Sequence, residues 1–115
     1  MTCERGAVVL VLYPHSDLLT AKRRPALVVQ ADNLQTGIDQ VIVAMITSNL
    51  QRKGHPCRHF IALDSPEGEE SGLLTDSVVM ADNLATVFLA AIYDKIGQLS
   101  DMRPVDEALR ITLGL

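Results

Sequence analysis

Aromatic side chains are scarce in this sequence, which has no tryptophan and only two tyrosines and two phenylalanines among 115 residues. Proteins that recognise single-stranded nucleic acids usually stack the bases on aromatic rings. Tyr13 lies beside the first loop and is the ring we place nearest to any such ligand. We interpret Phe60, Phe88 and Tyr93 as core residues. Recognition of a base sequence would then depend on hydrogen bonds from loop side chains.

Cysteines and long apolar runs are also few. Cys3 and Cys57 fit neither a CxxC motif nor a metal site, so we expect two free thiols. No apolar run approaches the roughly 20 residues of a membrane-spanning helix. Residues 1–5 do not resemble the start of a secretory signal. We expect a cytoplasmic protein that does not contact a membrane.

Positive charge is in the minority overall, but it is concentrated in one part of the chain. The formal net charge is −4, from ten basic and fourteen acidic residues. Six of the cations lie between residues 22 and 59: Lys22, Arg23, Arg24, Arg52, Lys53 and Arg58. Only Asp32 and Asp39 oppose them there. This segment forms either ordinary solvated loops or a basic face that binds nucleic acid locally.

Short β-branched runs separated by turn residues predict six strands, over residues 6–12, 25–30, 41–47, 58–63, 75–81 and 93–99. The acidic stretch 64–72 is predicted to be a turn-rich loop. Its carboxylates (Glu67, Glu69 and Glu70) do not converge as a two-metal site requires, so we expect solvated side chains and no metal or other cofactor.

The C-terminal segment is predicted to form a helix. Ser100 is the expected N-cap, Pro104 lies in the first turn, and Asp106 and Arg110 are spaced to pair on the exposed side. Strands followed by one helix predict a single domain over residues 1–115, a small antiparallel barrel with additional helical structure.

Two of the predicted strands carry polar residues at one end. Arg23 and Arg24 stand before Pro25 at the start of the second strand, and Thr47, Ser48 and Asn49 end the third. An arginine fork beside a hydroxyl is suited to holding a phosphate. Together these strand ends predict a phosphodiester site.

With these segments in place, the chain resembles the MazF/PemK family of toxin endoribonucleases from bacterial toxin–antitoxin pairs. The resemblance spans nearly the whole length. Its blocks, in the order of the family, are Arg5-Gly6, Arg24-Pro25-Ala26-Leu27-Val28-Val29, Ile46-Thr47-Ser48-Asn49, Gly72-Leu73 with Asp76-Ser77-Val78-Val79, Ala81-Asp82-Asn83, Lys95-Ile96-Gly97-Gln98-Leu99-Ser100 and Val105-Asp106-Glu107-Ala108-Leu109.

The resemblance implies a mainly β fold, an SH3-like barrel of the MazF/CcdB type with a C-terminal helix, assembled as a homodimer. It implies cleavage of single-stranded RNA at short motifs, without a metal or cofactor, to 2′,3′-cyclic phosphate and 5′-hydroxyl ends. It further implies a bacterial cytoplasmic toxin that is inhibited by the C-terminal segment of a cognate antitoxin.

The resemblance also implies roles for individual residues. Arg24 matches the arginine that contacts the scissile phosphate, and Thr47 matches the catalytic threonine or serine. Candidates for the general acid and base are His15 and Asp17. Further RNA contacts are expected from Tyr13, Lys22, Arg23, Ser48, Asn49, Arg52, Lys53 and Asp82. The competing interpretation of Arg24 is an ordinary surface arginine or an ion pair with Asp82 or Asp17. Thr47 could equally be a strand-end threonine that bonds the backbone, and Ser48, Asn49, His15 and Asp17 could be ordinary turn residues.

The sequence departs from the family pattern at three places. The first loop lacks the Gly-x-Glu stretch of many relatives, and Met80 and Ala85 stand where certain members have arginines. These departures leave open a catalytically weakened relative that binds RNA. A gyrase inhibitor of the CcdB type is a further alternative, although such proteins commonly use a C-terminal tryptophan, which is absent here.

Overall fold

The computed structural model of the chain describes residues 3–14 and 21–115; for positions 13, 14 and 21 this applies to the backbone only. The strands are β1 (Ala7–Pro14), β2 (Ala21–Val28), β3 (Gln40–Thr47), β4 (Arg58–Ile61), β5 (Ser77–Phe88) and β6 (Ile92–Gln98). The helices are α1 (Pro66–Ser71) and α2 (Arg103–Leu113), with short 3-10 turns at Leu50–Arg52 and Leu89–Ala91. The predicted mainly β fold with a C-terminal helix is confirmed.

The six strands form one antiparallel sheet in the order β4-β5-β3-β2-β1-β6. Both faces of its central strands are buried, which explains their nearly continuous apolar sequences. One cluster contains Val9, Ala26, Val43 and Met45, and the other contains Val8, Leu27, Ala44 and Ile46. Helix α2 covers the second cluster with Val105.

Strand β5 is longer than predicted and contains a bulge. Ala44 of β3 pairs with Leu84, whereas the next residue, Met45, pairs with Met80. Residues 81–83 of β5 therefore have no partner on β3. A bulge of this kind bends the strand and redirects the side chains in it. The predicted end of the strand at residue 81 was wrong, because the chain pairs again with β3 after the bulge.

The acidic segment 64–72 was predicted to be a loop, but it contains α1. Ser65 caps this helix, its hydroxyl accepting a hydrogen bond from the Gly68 amide at 2.9 Å. Pro66 occupies the first turn, and Gly72 ends the helix in the left-handed conformation. A serine cap, an N-terminal proline and a terminal glycine are strong signals, which the turn-rich composition obscured.

The acidic side chains near α1 were predicted to be solvated, but two of them form hydrogen bonds within the protein. Glu70 accepts hydrogen bonds from the amide and hydroxyl of Ser100 at 2.6 and 2.7 Å, and these bonds lower the pKa of its carboxyl group. Glu67 places both carboxylate oxygens within 3.0 Å of His59 Nε2. These two contacts attach α1 to β4 and to the segment after β6.

The start of α2 and its ion pairs also differ from prediction. Met102 is the N-cap residue and makes no side-chain capping bond, whereas the hydroxyl of Ser100, the predicted cap, donates to Glu70. Asp106 pairs with Arg5 at 2.5 Å rather than with Arg110. The same Arg5 side chain donates to the Val29 carbonyl, so this pair fastens α2 to the segments flanking β1 and β2.

Cys3 and Cys57 are free, as predicted. Among the described residues, no helix has the length and apolar character needed to cross a membrane.

Gly72→Ala is expected to lower the free energy of unfolding by about 3 kcal/mol or more, because it adds backbone strain to a steric overlap. Its φ is +73°, and a Cβ atom there would overlap the Ile96 carbonyl. Gly37 is the matched control, since its φ is +79° and a Cβ would meet nothing within 4 Å. Gly37→Ala should cost about 1 kcal/mol from backbone strain alone. If urea denaturation shows the same loss of unfolding free energy for both variants, the close packing at Gly72 is contradicted.

Glu70→Gln is expected to make the protein less sensitive to acid. The folded-state pKa of Glu70 lies below its ordinary 4.5, so its contribution is present above that pH and is lost as pH falls through the folded pKa. Urea denaturation from about pH 6 to about pH 3 should show a smaller loss of stability in the variant than in wild type. Glu69→Gln, whose side chain has no hydrogen bond to a described residue, should behave as wild type.

Candidate functional site

A cavity of about 660 Å³ opens between the ends of β2 and β3 and the segment that follows α1. Its polar lining comprises Lys22, Arg23, Arg24, Thr47, Ser48, Thr75, Ser77 and Asn83. Its apolar lining comprises Leu10, Pro25, Met45, Ile46, Leu73, Leu74, Met80 and Ile96, with Gly72 beside them. The structure therefore brings together the two polar strand ends that the sequence singled out.

The strand register places Arg24 and Thr47 on the same face of the sheet. The ladder between β2 and β3 pairs Val28 with Val43 and ends with Ala26 opposite Met45. Arg24 and Thr47 each lie two residues beyond this last pair, and both line the cavity. Because side chains alternate along a strand, both extend from the face that Ala26 and Met45 share.

Pro25 explains why the ladder stops just before this pair. The Val29 amide donates to the Ile42 carbonyl at 3.1 Å, which fixes the hydrogen-bonding positions of the two strands. These positions recur every second residue, so residue 25 should donate to Ile46. Proline has no N–H to donate. The strand ends are therefore released from each other where the cavity begins.

The Thr47 hydroxyl is oriented by its own turn. Its oxygen accepts a hydrogen bond from the Asn49 amide at 3.1 Å. No described atom accepts the hydroxyl proton, which is therefore available to an oxygen of a ligand. The Asn49 side chain caps the following 3-10 turn by accepting from Gln51 at 3.1 Å. Asn49 thus holds the turn, while Ser48 lines the cavity.

Arg24 is exposed at the rim and makes no ion pair with any described acidic residue. The competing interpretation paired it with Asp82, but Asp82 accepts from Arg58 at 2.8 and 3.4 Å. That contact lowers the pKa of the Asp82 carboxyl group. Asp82 does not line the cavity, whereas its neighbour Asn83, also within the β5 bulge, does.

The aromatic residues are more exposed than predicted, so their interpretation as core was wrong. Phe88 is 67% exposed, Tyr93 50% and Phe60 37%. The Arg23 guanidinium carbon lies 3.5 Å from the centroid of the Tyr93 ring. Lys53 Nζ lies 5.1 Å from the centroid of Phe60. Two of the predicted RNA-binding cations thus contact aromatic rings.

Other predicted site residues are not gathered in this cavity. Arg52 and Lys53 follow the end of β3 and do not line it. The Tyr13 side chain, His15 and Asp17 lie outside the described residues. The described part of the chain also holds no group of three or more histidine, cysteine, aspartate or glutamate side chains arranged to bind a metal.

Sequence reasoning missed the wall of the cavity opposite the cations. Leu73 and Leu74 follow α1 there, and Leu74 is 92% exposed. Asn83, in the Ala81-Asp82-Asn83 block, also lines the cavity and was not among the predicted site residues. A glycine followed by two leucines in a polar region was the available signal, but only the fold shows that the leucines line the same cavity as the arginines.

Comparison with solved structures identifies the fold first. An endoribonuclease in complex with its cognate antitoxin, from a mycobacterial species, superposes with a TM-score of 0.76 and 22% identity, over 99% of this chain and 97% of that one. The Mycobacterium tuberculosis toxin MazF-mt6 gives 0.73 and 23%, over 95% and 97% respectively. The six-stranded sheet and C-terminal helix are those of MazF toxins.

The chain belongs to the family described as PemK-like, MazF-like toxins of type II toxin–antitoxin systems, whose model matches residues 4–113. It is 35% identical over 94 residues to endoribonuclease EndoA of Bacillus subtilis, covering 80% of this chain and 77% of that protein. It is also 35% identical over 107 residues to endoribonuclease MazF2 of Mycobacterium bovis, covering 90% of each. The predicted family is therefore confirmed.

Pro25→Ala is expected to extend the β2–β3 ladder by one bond, because alanine supplies the missing donor opposite Ile46. Hydrogen exchange followed by NMR should show a protected amide at residue 25. Stability should change little, because the gain of about 1 kcal/mol from one hydrogen bond is offset by about 0.4–1 kcal/mol from the greater entropy of the unfolded chain without proline. An amide at residue 25 that exchanges as fast as those of the exposed 31–39 segment would contradict this account of the cavity mouth.

Proposed function

We propose that this chain is an endoribonuclease toxin that cleaves single-stranded RNA without a metal, leaving 2′,3′-cyclic phosphate and 5′-hydroxyl ends. The observation that carries the proposal is the placement of Arg24 and Thr47 on one face at the open end of the β2–β3 ladder. Family membership and the named endoribonuclease relatives support the reaction class.

In the proposed reaction, the 2′-oxygen of the RNA attacks the adjacent phosphorus and the bond from phosphorus to the 5′-oxygen breaks. Negative charge increases on the phosphate oxygens as this happens. Arg24 is suited to bind two of these oxygens through its planar, positively charged fork. The Thr47 hydroxyl donates its available proton to the same phosphate group. Both contacts strengthen as charge develops, which is what accelerates the step.

The two proton transfers require other groups, because a threonine hydroxyl is too weak a base. One group removes the proton of the 2′-hydroxyl, and another protonates the departing 5′-oxygen. His15 and Asp17 remain our candidates, since imidazole and carboxylate are the usual carriers near neutral pH. Lys22 and Ser48 line the same cavity and are proposed to contact the backbone of the RNA.

We propose that residues 1–115 act as one domain and form a homodimer in the bacterial cytoplasm. Exposed apolar side chains on α2, Ile111 at 47% and Leu113 at 54%, support association with a second copy. A cognate antitoxin is the expected inhibitor, and its C-terminal segment is proposed to cover the RNA cavity. One structural neighbour is an endoribonuclease solved with its antitoxin.

The alternative of a weakened enzyme rests on two positions in β5. Met80 lines the cavity without supplying a cation, and Ala85 packs against the core cluster that contains Val9 and Met45. Neither offers positive charge to a phosphate. Arg24 would then provide most of the charge stabilisation, which makes its contribution to cleavage easier to measure.

Cleavage of a long single-stranded RNA in EDTA tests the proposal. Wild type should produce discrete cuts with cyclic-phosphate ends. Arg24→Ala should reduce the rate by about 100- to 1000-fold, because it removes a charge-stabilising donor. Thr47→Ala should be impaired, and Thr47→Ser should retain activity because it keeps the hydroxyl.

Arg103→Ala is the matched control, since Arg103 pairs with Asp101 on the surface and does not line the cavity. Folded wild type that makes no cuts across a range of salt and pH would refute the ribonuclease function. Gyrase inhibition would then be the next assay.

A further inference from the structure

Arg23, which lines the cavity, forms a cation–π pair with Tyr93. The guanidinium carbon lies 3.5 Å from the ring centroid, a distance that indicates close contact between the two groups. Arg23 is exposed and lines the cavity, and half of the Tyr93 surface is also exposed. No ring contact is recorded for the neighbouring Arg24 among the described residues, so the two arginines differ in their surroundings.

The sheet has a local irregularity that places Tyr93 there. Leu10 of β1 pairs with Asp94 of β6, whereas Val11 pairs with Ile92, so Tyr93 is the extra residue of a β-bulge. Bulges redirect a side chain out of the regular alternation. Arg23 lies opposite Leu12 on the other side of β1, from which its long side chain reaches the ring.

A guanidinium group has two flat faces, and Tyr93 occupies only one of them. Bases of single-stranded RNA stack on arginine planes as well as on aromatic rings. We propose that the Arg23–Tyr93 pair is a base-stacking platform for a nucleotide adjacent to the scissile phosphate. The inference rests on the proposed ribonuclease function and gives Arg23 a role distinct from that of Arg24. It would also explain how a chain with few aromatic residues holds an RNA base.

A simple phosphate contact is the competing role for Arg23, and the two roles require different properties. A phosphate contact needs the positive charge and forms whether or not the nucleotide carries a base, although lysine makes it with a point charge and not a fork. A stacking platform needs both the guanidinium plane and the base. Arg23→Lys, which keeps the charge of the cavity, therefore separates the two roles when it is combined with RNA that lacks one base.

The test combines protein variants with modified RNA. The cut site of wild type is mapped first, and a fluorescein-labelled RNA of that sequence is made uncleavable by removing the 2′-hydroxyl at the cut. Each of the two nucleotides on either side is then replaced in turn by an abasic nucleotide. Binding is measured by fluorescence anisotropy at several salt concentrations, and melting temperatures verify that each variant folds.

For wild type, one abasic position should weaken binding by about five- to 100-fold, the range for loss of one stacked base. In Arg23→Lys, unmodified RNA should bind more weakly by a similar factor, and that abasic position should have little further effect. The dependence of affinity on salt should stay as in wild type, because the charge is kept. Tyr93→Leu should behave like Arg23→Lys, while Tyr93→Phe should retain the platform.

Phe88→Leu is the control for loss of an exposed aromatic ring outside the cavity and should leave the abasic profile unchanged. An Arg23→Lys protein with the affinity and abasic profile of wild type would overturn the platform. Because wild-type cleavage is established before this test begins, that result would leave the ribonuclease function standing. Failure of wild type to cleave RNA would instead reject the function itself.

Discussion

The site depends on one missing hydrogen-bond donor. Pro25 occupies a position where β2 should donate to β3, and the ladder between the two strands ends there. Had the ladder continued, the strand ends would have been paired across the mouth of the cavity. The β2–β3 register is regular up to Ala26 and Met45, and the missing donor of Pro25 leaves the next residues free to contact a ligand. The β2–β3 register and the end of the hydrogen-bond ladder at Pro25 together place Arg24 and Thr47 on the same face, with an open space beside them.

Two bulges complete the surroundings of that space. The bulge in β5 carries Asp82 to its partner Arg58 and brings Asn83 into the cavity lining. The bulge in β6 brings Tyr93 to Arg23. A sheet with both faces buried can display polar side chains only at strand ends, at edges and at such irregularities. In this protein, the residues proposed to bind RNA lie at those three kinds of place.

Much of the architecture could be predicted from the sequence, because β-branched runs and turn residues are local signals. The strand pattern and the polar ends at Arg24 and Thr47 were read in this way. Contacts between segments that are distant in the sequence could not be predicted. Examples are the ion pairs Arg58–Asp82 and Arg5–Asp106 and the hydrogen bond from Ser100 to Glu70. The bulges could not be predicted from the sequence either, because a bulge is defined by how a strand pairs with its neighbour.

The most direct test of the central claim is a double-mutant cycle on the rate of RNA cleavage, with Arg24→Ala, Thr47→Ala and the combined variant. If both side chains stabilise charge on one phosphate group in the same transition state, their effects should not be independent. The combined variant should then lose less activity than the product of the two separate losses. A loss equal to that product would show that the two residues act independently, which would contradict the shared site.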